Sequence, residues 1–264
     1  MNDYIHMKKL IFLFILCIFR HICFAEIIQI EQNKSGFSIN SSPTQTLYWR
    51  GTNAKALILF IPGGDGNIGF KPDTVDLKYS FYQTLKSLTN SDLTSGRFDV
   101  VVMDFPLAMR DTSARGSNDH LTRIDSAVHY YRMKTGLPIW IMGHSNGGIS
   151  LTYYVKFLQK ERRLNDISGI IASAVRNGTD FQEPINVPIL FIHHEKDGCS
   201  NTLSSYSYKL YETIKGFTSS NIKYSLLTTG DTEPRDPCRS GFHMYFNSGT
   251  EASEIIQNFI SLTF

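Results

Sequence analysis

Hydrophobic positions along this chain fall into two patterns. Short solid runs alternate with longer stretches whose apolar residues recur three or four positions apart. The runs Lys55–Ile61, Phe98–Met103, Pro138–Met142, Ile167–Val175 and Val187–His193 are short and rich in β-branched and aromatic side chains, which predicts buried strands. Glu26–Glu31 and Gln45–Arg50 read as two edge strands, and Asn221–Thr228 as the last strand. Helical spacing covers Leu77–Leu88, then Asn118–Lys134 with Leu121, Ile124, Val128 and Tyr131 on one stripe. Gly136 and Pro138 end that second helix. Gly148–Gln159 carries Ile149, Leu151, Val155 and Leu158, and Thr202–Phe217 carries Leu203, Tyr206, Leu210 and Ile214. Ala252, Ile255, Ile256, Phe259 and Ile260 mark a closing helix.

Strands alternate with helices, and the central strands are apolar throughout rather than at every second position. That combination predicts an α/β fold, with a mostly parallel central sheet and helices on both faces. Ligand and catalytic groups in such sheets gather beyond the carboxyl ends of the strands. Gly63 and Gly64 follow one strand, Ser145 a second and Asp197 a third, and His243 lies in the loop after a fourth.

The N-terminus alters the charge picture. Lys8 and Lys9 precede an unbroken apolar run, Leu10–Phe19, and Ala25 is a small residue ahead of Glu26. This reads as a secretory signal over residues 1–25, with Met1 and Met7 both available as starts. The apolar run is too short for a spanning helix, and no stable membrane span is expected after cleavage. Phe14-Ile15-Leu16 ahead of Cys17 lacks the small residue that a lipoprotein signal places there. Loss of the segment removes Lys8, Lys9, Arg20 and Asp3 from 26 basic and 24 acidic side chains, which leaves the charges balanced. No basic patch is evident, which argues against a nucleic-acid partner. Residues 26–264 form a single expected domain, and the whole chain is 42% hydrophobic. Localisation is expected outside the cytoplasm, periplasmic or secreted. Of four cysteines, Cys199 and Cys238 remain after cleavage, and in an oxidising compartment an isolated pair invites a disulfide. The alternative is two buried thiols. Zinc is not indicated, because no second cysteine pair stands at ligand spacing.

Gly143-His-Ser-Asn-Gly147 spells G-x-S-x-G between the run Pro138–Met142 and the helix Gly148–Gln159. The bare pattern is a weak signal in a chain with 19 glycines. Its strand-turn-helix setting carries the reading: the serine stands on a tight elbow, clear of the sheet edge. A serine hydroxyl needs a base, and the base needs an orienting anion. His243, after the last strand and before the closing helix, is the candidate base. Asp197, where a buried strand breaks into a turn, is the candidate acid. Glu195, Asp231, Glu233 and Asp236 are rival carboxylates. The oxyanion hole is expected from the backbone N–H of Asn146 and of Gly64, with Gly63 giving room for close approach. Pro62–Gly66 lacks the G-K-[ST] ending of a phosphate-binding loop. His193 and His194 are neighbours on a strand end, point to opposite faces, and are poorly placed to share a metal. Asp104 is expected to order the turn at Phe105-Pro106, and Asp111–Asn118 to be able to wall the pocket. Asn33, Asn40 and Asn177 head glycosylation sequons, relevant only in a host with that machinery.

With those residues in hand, the chain resembles the α/β-hydrolase superfamily. The resemblance rests on residues 143–147, on Pro62-Gly63-Gly64, and on the order Ser145, Asp197, His243. It covers most of residues 45–264, and Pro62 stands where the family's usual histidine precedes the oxyanion glycine. It implies an eight-strand type of sheet with one antiparallel strand near the start. Cys199 after Asp197, with Cys238 ahead of His243, looks similar to secreted members that staple these two loops. The short interval from Val175 to Val187 leaves no room for a helical lid.

The leading expectation is an exported serine hydrolase that cleaves a carboxylic ester or related acyl bond of a small-molecule substrate. It would work through an acyl-enzyme, with no metal or organic cofactor. A peptidase or acyltransferase on the same triad is the nearest enzymatic alternative. A non-catalytic secreted binding protein on the same scaffold is the other class, disfavoured because all three candidate side chains are present.

Overall fold

A computed structural model of the chain describes residues 25–32, 42–70, 97–109, 111–218 and 220–263. The expected signal segment up to residue 24, the expected helix Leu77–Leu88, and the sequons at Asn33 and Asn40 lie outside the described residues.

Eight strands form one sheet: β1 Ala25–Ile30, β2 Thr44–Trp49, β3 Ala56–Ile61, β4 Phe98–Asp104, β5 Ile139–His144, β6 Gly169–Ser173, β7 Ile189–His194 and β8 Ile222–Leu227. Their spatial order is β1-β2-β4-β3-β5-β6-β7-β8. β2 runs antiparallel to both β1 and β4, and every other pairing is parallel. Gln45–Arg50 was expected at an edge. It lies one strand in, because β1 pairs along its whole length, and Leu47, Tyr48 and Trp49 are buried.

The solid apolar runs are solid because both faces are covered. Leu57, Leu59 and Ile61 of β3 pack on one side, with Leu121, Ile124 and Val128 of α1 (Asn118–Thr135) and Leu151, Val155 and Leu158 of α2 (Gly147–Lys160). Leu210 and Ile214 of α3 (Ser204–Lys215) extend that layer. Ile58 and Phe60 face the other way, toward Trp140 and toward Ala252, Ile256 and Phe259 of α4 (Gly249–Ser261). The period-two alternation within each strand thus feeds two cores. α1 starts where the Ser117 side chain accepts the His120 N–H, and it stops at Gly136, left-handed at φ 68°.

β6 passes to β7 through residues 174–188 without a helix, and Phe181, Ile185 and Val187 of that connection are buried. No helical lid stands there. Among the described residues no helix is long and apolar enough to cross a membrane.

Candidate functional site

Ser145 closes the turn between β5 and α2 at φ 54°. A side chain in this left-handed region costs about 1–2 kcal/mol, so the neighbours must hold it. The Ser145 N–H donates to the Ser173 carbonyl at 3.0 Å, and its carbonyl accepts from the N–H groups of Gly148 at 2.9 Å and Arg176 at 3.1 Å. The flanking glycines are steric requirements. A Cβ on Gly143 would lie 2.5 Å from the Gly147 carbonyl oxygen, and one on Gly147 would strike the Ile61 carbonyl. A Cβ on Gly63 would come within 2.8 Å of the Ser145 Cβ.

Asp197 and His243 meet. Asp197 follows β7, and His243 sits in a single 3-10 turn, Gly241–Met244, ahead of α4. His243 Nδ1 donates to Asp197 Oδ2 at 2.8 Å, and both side chains are buried. That bond leaves Nε2 as the basic nitrogen. The rival acids are occupied elsewhere: Asp231 accepts from Asn247, Glu233 from the Gly241 N–H and Asp236 from the Cys238 N–H, while Glu195 lies against Lys196.

Asp197 Oδ2 also accepts from His193 Nε2 at 3.0 Å and Thr202 Oγ1 at 3.1 Å, and Oδ1 accepts the Cys199 N–H at 2.9 Å. Burial alone would raise this carboxyl's pKa; the bonds from His193 and His243 outweigh it and hold the group well below the usual carboxylate range. His193 is therefore the second histidine on the acid. Strand alternation had separated it from His194, and it does so here: His193 turns to Asp197 and Ser207, His194 to the Thr229 carbonyl. The available signal was a histidine at a strand end four residues before the candidate acid. Among the described residues no three metal-ligating side chains gather into a candidate metal site.

Behind the base, the Tyr245 hydroxyl donates to the Ile192 carbonyl at 3.0 Å and takes the Ser173 hydroxyl at 2.8 Å. Ser173 in turn pairs with His144 Nδ1 at 3.1 Å. The His144 ring lies 4.8 Å from the His243 ring. Burial, and secondarily the nearness of His243, keep His144 neutral. Tyr245, two residues past the base, anchors its turn under β6 and β7.

Ser145 and His243 wall one cavity of about 240 Å³, together with Phe60, Gly63, Gly64 and Met244. No hydrogen bond joins the Ser145 hydroxyl to His243. Neither the Gly64 nor the Asn146 N–H has an acceptor among the described residues. The Asn146 side chain ties the elbow to the glycine turn: Nδ2 donates to the Gly64 carbonyl at 2.9 Å, and Oδ1 accepts from Arg176 at 2.8 Å.

Two expectations need correction. The Asp104 carboxylate accepts the backbone N–H groups of Ile68, Gly69 and Phe70, so it orders the loop after the glycine turn rather than Phe105-Pro106. A carboxylate at a strand end bonds whichever free amides lie opposite, and three converge there. Asp111–Asn118 does not wall the Ser145 cavity; its Thr112 borders a separate cavity of about 370 Å³ with Tyr153, Lys156 and Arg176. The Asn177 amide is engaged with the Ser200 carbonyl and the Leu203 N–H.

Cys199 and Cys238 form a disulfide, with Cα atoms 4.5 Å apart and a sequence separation of 39. It joins the acid's loop to the base's loop. Chain-entropy arithmetic for such a loop gives about 4 kcal/mol. The double variant Cys199→Ser, Cys238→Ser is expected to melt about 8–16 °C lower than the oxidised protein. Calorimetry showing no difference would remove the staple from the protein's stability.

Neither the protein-family models nor the curated proteins give a match to this sequence. Solved structures do match in shape. A lid-less α/β serine hydrolase from Xanthomonas campestris aligns at TM-score 0.59 and 12% identity, covering 92% of this chain and 97% of its own. A dienelactone hydrolase from Anabaena variabilis aligns at 0.56 and 11%, covering 92% and 99%. A fungal esterase from Rhizomucor miehei aligns at 0.61 and 10%, covering 92% and 86%. The chain has the α/β-hydrolase fold.

Proposed function

We propose that this chain, an α/β-hydrolase by fold, is a serine hydrolase of small carboxylic esters. The observation that carries the reading is that His243, held by the buried Asp197, lines the same cavity as a serine held at positive φ. A strained elbow persists where the surroundings enforce it, and such strain clusters at functional sites.

The chemistry follows from the atoms. His243 Nε2 takes the Ser145 proton as Oγ attacks the ester carbonyl. No hydrogen bond joins these two residues in the structure; such contacts commonly tighten only when substrate is bound. Charge then develops on the carbonyl oxygen, where the N–H groups of Gly64 and Asn146, which have no acceptor among the described residues, are available to receive it. Asp197 holds the imidazole with Nδ1 protonated and steadies the imidazolium. His243 returns the proton to the departing alcohol, and water releases the acyl group by the same steps. The disulfide and the leader-like N-terminus support export to an oxidising compartment.

The cavity lies at or below the lower end of ordinary ligand pockets, so turnover of p-nitrophenyl esters is expected to be highest for acyl groups of a few carbons and to fall with longer chains. A fluorophosphonate probe is expected to label Ser145 alone. A processed protein that turns over no ester in the series and takes no label would end the reading.

A further inference from the structure

The 3-10 turn Thr112–Gly116 delivers one side chain with no place in the scheme above. Arg115 is fully buried, yet it makes no ion pair among the described residues. Its fork is spent on neutral acceptors. Nη1 donates to the Pro62 carbonyl at 3.2 Å and to Ser150 Oγ at 2.9 Å. Nη2 donates to the Gly64 carbonyl at 2.9 Å and reaches the Gly63 carbonyl at 3.5 Å. Ser150 Oγ also pairs with His120 Nε2 at 2.9 Å, and burial, followed by the charge of Arg115, lowers that imidazole to about 3. Asp65 and Arg176 are the other charges that act on Arg115, with opposite sign.

We infer that Arg115 is the positioning residue of the oxyanion loop: it clamps the carbonyls of Pro62, Gly63 and Gly64 from behind and places a positive charge beneath them. The inference rests on the serine-hydrolase reading. Its physical basis is the planar trans peptide, in which a carbonyl and the next residue's N–H point opposite ways. Carbonyls drawn toward Arg115 turn the N–H groups of Gly63, Gly64 and Asp65 the other way. The Gly63 carbonyl, whose peptide carries the Gly64 N–H, takes the Gly66 N–H at 3.0 Å and lies 3.5 Å from Arg115 Nη2, and the next carbonyl, that of Gly64, is gripped by Arg115 and by Asn146 Nδ2, both at 2.9 Å. A single planar group with five donors can hold several carbonyls at fixed angles; an ammonium cannot.

The charge is the informative part. A buried cation with no carboxylate in ion-pair contact is strongly unfavourable in a structural core, and the more distant charge of Asp65 offsets only part of the cost of burial. Burial pushes the Arg115 guanidinium down to about 10, so it stays charged at neutral pH. Beside a site where an oxygen becomes negative in the transition state, the same charge is an asset.

Arg115→Met and Arg115→Lys test this in the full processed protein, with a short-chain p-nitrophenyl ester and a fluorophosphonate probe. The methionine variant is expected to lose about 100-fold in kcat, the scale of one missing oxyanion donor, with KM within threefold of wild type and slower probe labelling. Lysine restores the charge without the fork and is expected to recover about tenfold of that loss. A folded methionine variant with kcat within threefold of wild type would overturn the proposal, as would a lysine variant no better than methionine. If the methionine variant does not fold, lysine decides alone: lowered kcat with unchanged KM supports the clamp, while unchanged kcat or failure to fold overturns it. Wild type that neither turns over ester nor takes the probe overturns the parent reading, and this one with it; active wild type with unaffected variants sinks only the role of Arg115.

Discussion

Ser145→Ala is expected to abolish ester turnover, a loss on the order of 10⁴-fold or more, while the protein stays folded. Removing the nucleophile of a triad removes the covalent path, and what survives comes from binding and the oxyanion donors alone. The hydroxyl makes no hydrogen bond among the described residues, so its loss should not disturb the fold. The backbone supplies a second readout. Ser145 is held at φ 54°, where glycine carries no Cβ penalty, so Ser145→Gly is expected to be equally inactive yet about 1 kcal/mol more stable. Activity and stability moving in opposite directions at one position is the mark of strain kept for function. Steady-state rates with chemical denaturation on both variants check this; an alanine variant that retains most activity would dispose of the nucleophile assignment.

Asp197→Asn is expected to lower kcat about 10⁴-fold, by analogy with the serine-protease template, and to destabilise the fold as well. Every partner of this carboxylate donates: His193, His243 and Thr202 to one oxygen, the Cys199 N–H to the other. An amide has one acceptor end and one donor end, so either rotamer sets donor against donor. If the amide nitrogen faces His243, the imidazole shifts to the tautomer with Nε2 protonated and ceases to be a base. If it faces Cys199, a buried N–H loses its acceptor, at about 1–3 kcal/mol. The wild-type carboxyl titrates below its unfolded value, so its contribution to stability is present above about pH 4 and fades only in stronger acid. The stability gap between wild type and variant should therefore shrink as pH falls through that acid range. Urea melts at several pH values, with kcat alongside, check both halves. A gap that widens in acid would contradict the assignment.

Much of this was legible in the chain. The runs at residues 55–61, 98–103 and 138–142 became β3, β4 and β5 because a strand covered on both faces has no polar positions to spare. The stop of α1 at Gly136 was equally plain, since a left-handed residue after a helical stripe is a local event. The elbow was legible for the same reason: its glycines are demanded by clashes within the β5–α2 turn and with the adjacent strand β3. Asp197 and His243 were nominated by chain order, and the structure brings them to 2.8 Å.

Other features were beyond reach. The exact place of β2 depends on β1 folding back over it, and pairing partners are not written in either strand alone. Asp104 was assigned to the nearest turn, when its partners come from a loop more than thirty residues earlier in sequence. Arg115 left no local trace: a lone arginine in a polar stretch reads as solvated surface, and only the packing of a short 3-10 turn beneath Pro62–Gly64 makes it a buried clamp. His193 was read for its face but not for its partner. Periodicity and turn chemistry act over a few residues, so the sequence by itself determined the elements, the elbow and the order of the reactive side chains. Which donors converge on one carboxylate oxygen, and which carbonyls a single guanidinium holds, are decided by long-range packing, and only the tertiary structure decided them.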